Sequence, residues 1–118
     1  MIMQQTFKDK TVVVTGGANG IGRCIAEEFR SAGATVYVID KQEGEHFVGD
    51  IAHKEVLEAF VDEILSGCTQ VDCIINNALP LMKGIDECTY EEFQYALSVG
   101  VTAPYYLVKL WKPHLAEG

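Results

Sequence analysis

Basic residues are scarce in this chain: nine Lys and Arg stand against 17 Asp and Glu, for a net charge of −8. A balance of that sign argues against nucleic acid or an anionic membrane as partner, and the nine cations are too scattered to form a compensating patch. No apolar run approaches the roughly 20 residues of a membrane span, so a soluble protein is expected. The first ten residues contain no long hydrophobic segment of the signal-peptide kind. Cys24, Cys68, Cys73 and Cys88 form no C-x-x-C pair and fall mostly within apolar patterns. Reduced thiols in a cytoplasmic protein follow from that distribution. His46, His53 and His114 are dispersed, so no metal site is expected. Linkers and low-complexity stretches are also missing from the 118 residues, which suggests one domain with a core of its own.

The informative stretch is Thr15-Gly16-Gly17-Ala18-Asn19-Gly20-Ile21-Gly22. It follows the β-branched run Thr11-Val12-Val13-Val14 and opens a segment of helical periodicity, Ile21, Ile25, Ala26 and Phe29. A strand, a glycine-rich turn and a helix in that order form a cradle for a diphosphate. Gly16 permits the tight turn, Gly20 lets backbone approach phosphate oxygens, and Gly22 lets the helix pack closely with its N–H groups aimed at the anion. The flanks are what separate this pattern from an ordinary glycine turn.

The spacing T-G-x-x-x-G-I-G resembles the cofactor motif of the short-chain dehydrogenase/reductase family, and three further stretches fit that resemblance. The run Thr35-Val36-Tyr37-Val38-Ile39-Asp40 ends in an acidic residue 18 positions beyond Gly22, where a carboxylate reaches the adenosine ribose hydroxyls. Asp50-Ile51 resembles the Asp plus aliphatic pair beside the adenine. Asn76-Asn77-Ala78, after Val71-Asp72-Cys73-Ile74-Ile75, resembles the family's Asn-Asn-Ala-Gly, with Leu79 in place of the glycine next to the nicotinamide position. The implied cofactor site is Gly16, Ala18, Asn19, Gly20, Ile21, Gly22, Asp40, Lys41, Asp50, Ile51, Asn77, Ala78 and Leu79. Asp40 would accept from the ribose diol and repel a 2′-phosphate, which favours NAD(H); the neighbouring cation Lys41 works against it.

Strands are expected near 11–15, 35–40, 46–49 and 71–76, and helices near 20–32, 53–66, 89–95 and 97–115. Thr89 followed by Glu92 resembles a capping box. The alternation means an α/β fold with a parallel sheet covered by helices on both faces. By resemblance the sheet is a truncated Rossmann sheet of about four strands in the order 3-2-1-4, and residues 1–118 form a single NAD-binding Rossmann domain. The last helix is apolar almost all round, and Pro104 inside it should cost a hydrogen bond and kink the axis.

The family pattern then runs out. Its catalytic serine and Tyr-x-x-x-Lys have no counterpart before Gly118, and its active-site asparagine falls at Gly100. The resemblance therefore implies a C-terminally truncated member with no catalytic residue to name. Tyr37 and Lys41 match the spacing but lie along a strand, roughly 13 Å apart at about 3.3 Å per residue. Tyr105 and Lys109 are helical neighbours, in a helix that by resemblance packs against another subunit.

Three functions stand open. One is an NADH:acceptor oxidoreductase of diaphorase type, passing reducing equivalents to a small-molecule acceptor (dye, quinone or flavin) without ordinary carbonyl reductase activity. The others are a non-catalytic NAD(H)-binding module and the remnant of a disrupted dehydrogenase gene. A homodimer is expected through Val101, Tyr105, Val108 and Trp111, with the bare edge of strand 71–76 covered by the partner or by the chain's own C-terminal residues.

Overall fold

The computed structural model describes residues 6–117. Four parallel strands, β1 (Thr11–Thr15), β2 (Thr35–Asp40), β3 (Phe47–Val48) and β4 (Cys73–Asn76), form one sheet in the order β3-β2-β1-β4. This is the expected α/β arrangement, with the first strand in the middle. β1 is buried on both faces, and its alternation shows how. Val12 and Val14 pack with Ala26, Ala34 and Val38 under helix α1 (Gly20–Ser31). Val13 points the other way, into a cluster with Ile39, Leu57, Phe60, Ile64, Leu107 and Trp111. That second cluster is covered by α2 (Lys54–Leu65) and by the last helical segment, α4 (Ala103–Trp111), whose Tyr106 hydroxyl donates to Glu58 on α2.

Two strands are shorter than expected. The stretch 46–49 narrows to Phe47–Val48 because β2 offers it only Ile39 and Asp40 as partners. In 71–76 the ladder to β1 begins at Cys73. Val71 instead bonds outward: its N–H donates to His114 C=O and its C=O accepts from Ala116 N–H. The chain's own C-terminal residues therefore cover the start of that edge, one of the two coverings expected.

The last two expected helices are one helical run with a widened middle. α3 (Tyr90–Leu97) passes through a π turn, Ser98–Thr102, into α4. The turn lies where Pro104 was expected to interrupt the helix. Pro104 follows two residues after it, in the first turn of α4, and opening the turn relieves the ring's conflict with the carbonyl four residues earlier. It also takes up a phase surplus: Ala96, Val99, Ala103, Leu107 and Trp111 are all buried, spanning 15 residues where four α turns need about 14.4.

Trp111 corrects the expected contact surface. It is fully buried against the sheet, so it cannot belong to an outer contact surface. Val101, Tyr105 and Val108 do face outward, in line with exposed Tyr90, Phe93 and Leu97. The helix read as apolar all round has one face in the core and another on the surface.

Candidate functional site

The β1–α1 loop is built by close approach. Gly16 holds φ +69°, a left-handed conformation that suits glycine, and its N–H donates to Ile39 C=O at 2.8 Å. At Gly22 a Cβ would stand 2.2 Å from Gly16 O and 2.3 Å from Asn77 Nδ2, so only glycine lets α1 start there. Above Gly20, by contrast, a Cβ would meet nothing within 4 Å. Asn77 closes the floor: its Nδ2 donates to Gly16 O at 3.0 Å, while the N–H groups of Asn77 and Ala78 donate to the buried Thr15 Oγ1 at 3.1 Å each.

The N-terminus of α1 is left open. Asn19, its N-cap, makes no side-chain cap and donates instead to Gln42 Oε1 at 2.7 Å. No acidic residue lies in the first turn. The first helical N–H groups have no intrahelical acceptor, and with the helix dipole they form a positive end that suits an anion.

That end opens onto a cleft of about 940 Å³ at the C-terminal ends of β1, β2 and β4. Of the thirteen residues expected at a cofactor site, twelve line it: Gly16, Asn19, Gly20, Ile21, Gly22, Asp40, Lys41, Asp50, Ile51, Asn77, Ala78 and Leu79. Ala18 does not. It turns to the other side of the loop, and its N–H donates to Asp40 Oδ2 at 3.0 Å. With Gln42 N–H on Oδ1, also at 3.0 Å, both carboxylate oxygens of Asp40 are fixed at the rim of the cleft. The Lys41 Nζ stands 5.7 Å from the centroid of the Tyr95 ring.

Tyr95 was not among the expected residues. Its hydroxyl donates to Asp50 Oδ2 at 2.6 Å, and Ala52 N–H donates to Oδ1 at 2.9 Å. Burial alone would raise the Asp50 pKa. These two hydrogen bonds, with the nearby charges of His53 and Lys41, outweigh burial and hold it below the ordinary carboxylate value. Burial first, then the bond to Asp50 and its charge, pushes Tyr95 up to about 12. Gln42 and Tyr95 escaped sequence reading because each acts through a partner distant in sequence. Thr15 was read as the first residue of the glycine-rich motif, but not as the acceptor that holds Asn77 and Ala78.

The other end of the cleft is apolar. Leu79, Pro80 and Leu81 line it, and Leu79 and Leu81 are almost fully exposed. A side chain at Gly100, inside the π turn, would start 3.6 Å from the Pro80 ring. Tyr105 and Lys109 are exposed on α4 and do not line the cleft.

The family profile described as short chain dehydrogenase matches residues 10–118. The chain belongs to the short-chain dehydrogenase family. Mouse (Mus musculus) L-fucose dehydrogenase is 36% identical over 125 residues, covering 94% of this chain and 46% of the relative. An apo SCOR enzyme from Clostridium thermocellum superposes with a TM-score of 0.82 at 37% identity, covering 90% of this chain and 49% of that one. L-sorbose reductase from Gluconobacter frateurii, complexed with NADPH and L-sorbose, gives a TM-score of 0.82 at 25% identity, with 94% and 49% covered. The chain thus spans about half the length of the curated relatives it matches. Short-chain dehydrogenases are oxidoreductases that use nicotinamide cofactors. Among the described residues, no helix is long and apolar enough to cross a membrane, and no cluster of metal-ligating side chains occurs.

Proposed function

We propose that residues 1–118 act as one NAD(H)-binding Rossmann domain and, as a 118-residue chain, as an NADH:acceptor oxidoreductase. The observation that carries this reading is the uncapped, acid-free N-terminus of α1, opening onto a cleft with Asp40 fixed at its rim. The residues fit the cofactor: Gly22 admits the close packing that brings the helix end to the cleft, and the space above Gly20 is free for phosphate. Asp40 would receive the ribose diol. A 2′-phosphate would meet that carboxylate, while Lys41 is engaged over Tyr95. NADH should therefore bind about tenfold or more tightly than NADPH, since about 1.4 kcal/mol of charge opposition is a factor of ten. Asp40→Ala should narrow the gap, and equal binding of the two cofactors by the unmodified chain would refute this role of Asp40.

When bound, the reduced nicotinamide supplies a hydride to a dye, quinone or flavin, and solvent supplies the proton that completes the acceptor's reduction. Carbonyl reduction needs more, a proton donor positioned at the developing alkoxide. The one tyrosine lining the cleft, Tyr95, is committed to Asp50, and Lys83 is paired with Glu92. Simple ketones should thus turn over about 10²–10⁴-fold more slowly than a family enzyme with its proton donor in place. The test is one cuvette: an NADH titration, then addition of a dye or quinone, then a ketone panel. Binding with acceptor reduction supports the proposal. Binding without turnover leaves a cofactor-binding module, and brisk ketone reduction overturns the assignment.

The exposed row Tyr90, Phe93, Leu97, Val101, Tyr105 and Val108 supports a homodimer through the outer face of α3 and α4. Leaving large apolar side chains bare forgoes about 1.5–3 kcal/mol each. Sedimentation at micromolar concentration should show a dimer that Tyr105→Asp weakens. A compact monomer would rule it out.

A further inference from the structure

Asp50 and Tyr95 are 45 residues apart and meet at the end of the cleft beyond Asp40. Asp50 is held from both sides, by Ala52 N–H on Oδ1 and by the Tyr95 hydroxyl on Oδ2. Each carboxylate oxygen has a second lone pair, so two acceptor sites remain while the plane of the group is fixed. Lys41 rests over the Tyr95 ring at a cation–π distance and ties it to the end of β2. Three elements thereby converge on one carboxylate: the end of β2, the turn before α2, and α3.

We propose that Tyr95 is a positioning residue that fixes Asp50 so that the cleft prefers a purine with an exocyclic amino group over its 6-oxo counterpart. The inference rests on the NAD(H) reading above, in which the base lies past Asp40, beside Asp50 and Ile51. An amino group donates to the fixed acceptor. A carbonyl at the same place sets lone pair against lone pair, and the Asp50 oxygen is left unsatisfied. Without Tyr95 the carboxylate regains rotational freedom and can turn away from the wrong base, so discrimination falls while the ring-sized space remains.

The test titrates reduced NAD and its reduced hypoxanthine analogue against the full chain, following nicotinamide fluorescence. The unmodified chain should favour the adenine form by about tenfold, equivalent to about 1.4 kcal/mol. Tyr95→Phe, which keeps the ring, should reduce the preference to about threefold or less. Asp50→Asn should abolish it, and adding Tyr95→Phe to Asp50→Asn should change it no further, the signature of one residue acting through the other. An unchanged preference in Tyr95→Phe overturns the inference, as does an equal loss of affinity for both dinucleotides. Should Tyr95→Phe fail to fold, Lys41→Gln, which removes the cation above the ring, carries the test and should roughly halve the preference; no change in it overturns the inference. If the unmodified chain binds neither dinucleotide, the cofactor reading itself falls. Binding of both with no preference sinks only the role given to Tyr95.

Discussion

The N-termini of α1 and α3 are two helix ends finished in opposite ways. α3 closes itself: Thr89 accepts from Glu92 N–H, the Glu92 side chain accepts from Thr89 N–H, and Glu91 and Glu92 put negative charge in the first turn. Lys83 then pairs with Glu92. At α1 none of these devices is used, and the candidate cap, Asn19, is diverted to Gln42. The difference teaches how to tell a structural helix end from a receptive one. The capping box and acids close α3 from within, whereas α1 leaves its first N–H groups to solvent or to an anion from outside the chain.

Four substitutions break or sharpen this contrast. Gly22→Ala should do the most damage, because its methyl collides with Gly16 O and Asn77 Nδ2 and undoes the floor of the loop. Overpacking of this kind costs about 1–3 kcal/mol, a fall of several degrees in Tm for a chain of this size, with NADH binding lost in the same preparation. Calorimetry and a titration read both. Ile21→Asp places an acid where α1 has none. Ile21 is exposed, so the free chain should gain about 0.3–1 kcal/mol from the dipole, while NADH binds about tenfold more weakly. Opposite signs in the melt and the titration are the expected outcome, and parallel changes would deny α1 its role.

Thr89→Ala should cost about 1 kcal/mol through the lost cap and leave NADH affinity unchanged, as urea unfolding and titration would record. The smallest effect is a pH window at Tyr95. Its pKa is raised to about 12, so its contribution is fully present below the ordinary tyrosine value of about 10 and is lost as pH rises through the raised one. The stability difference between the unmodified chain and Tyr95→Phe should shrink across that interval. For Asp50 the shift is downward, so its contribution is present above about pH 4 and fades as pH falls through the lowered value.

Much of this fold was legible because local pattern and packing agree in it. The valines of β1 read as a strand, and Gly16 and Gly22 read as a tight turn and a close helix packing. The strand order came from resemblance, since periodicity does not say which strand lies beside which. What stayed hidden depends on partners remote in sequence. Asp50 and Tyr95 meet only once α3 lies over the turn before α2, and the Val71 bridge needs the C-terminal residues to return to the sheet. The π turn is a compromise between the Pro104 ring and the phase of the buried positions, and neither alone announces it. Trp111 was read as a surface anchor because apolar residues ring the helix. Its burial depends on which face α2 and the sheet claim.

The central place of β1 has a consequence for how the chain is made. Its neighbour β2 follows within two dozen residues, but Thr11 N–H waits for Asp72, 61 positions later. At roughly 5–20 residues per second of synthesis, that interval is about 3–12 s. For those seconds a run of three consecutive valines has one bare backbone edge and no β4 to pair with. This is the stage at which the nascent chain is most exposed to pairing with a strand of another molecule, so slowed translation between Asp40 and Cys73 should raise aggregation more than the same delay placed after Asn77.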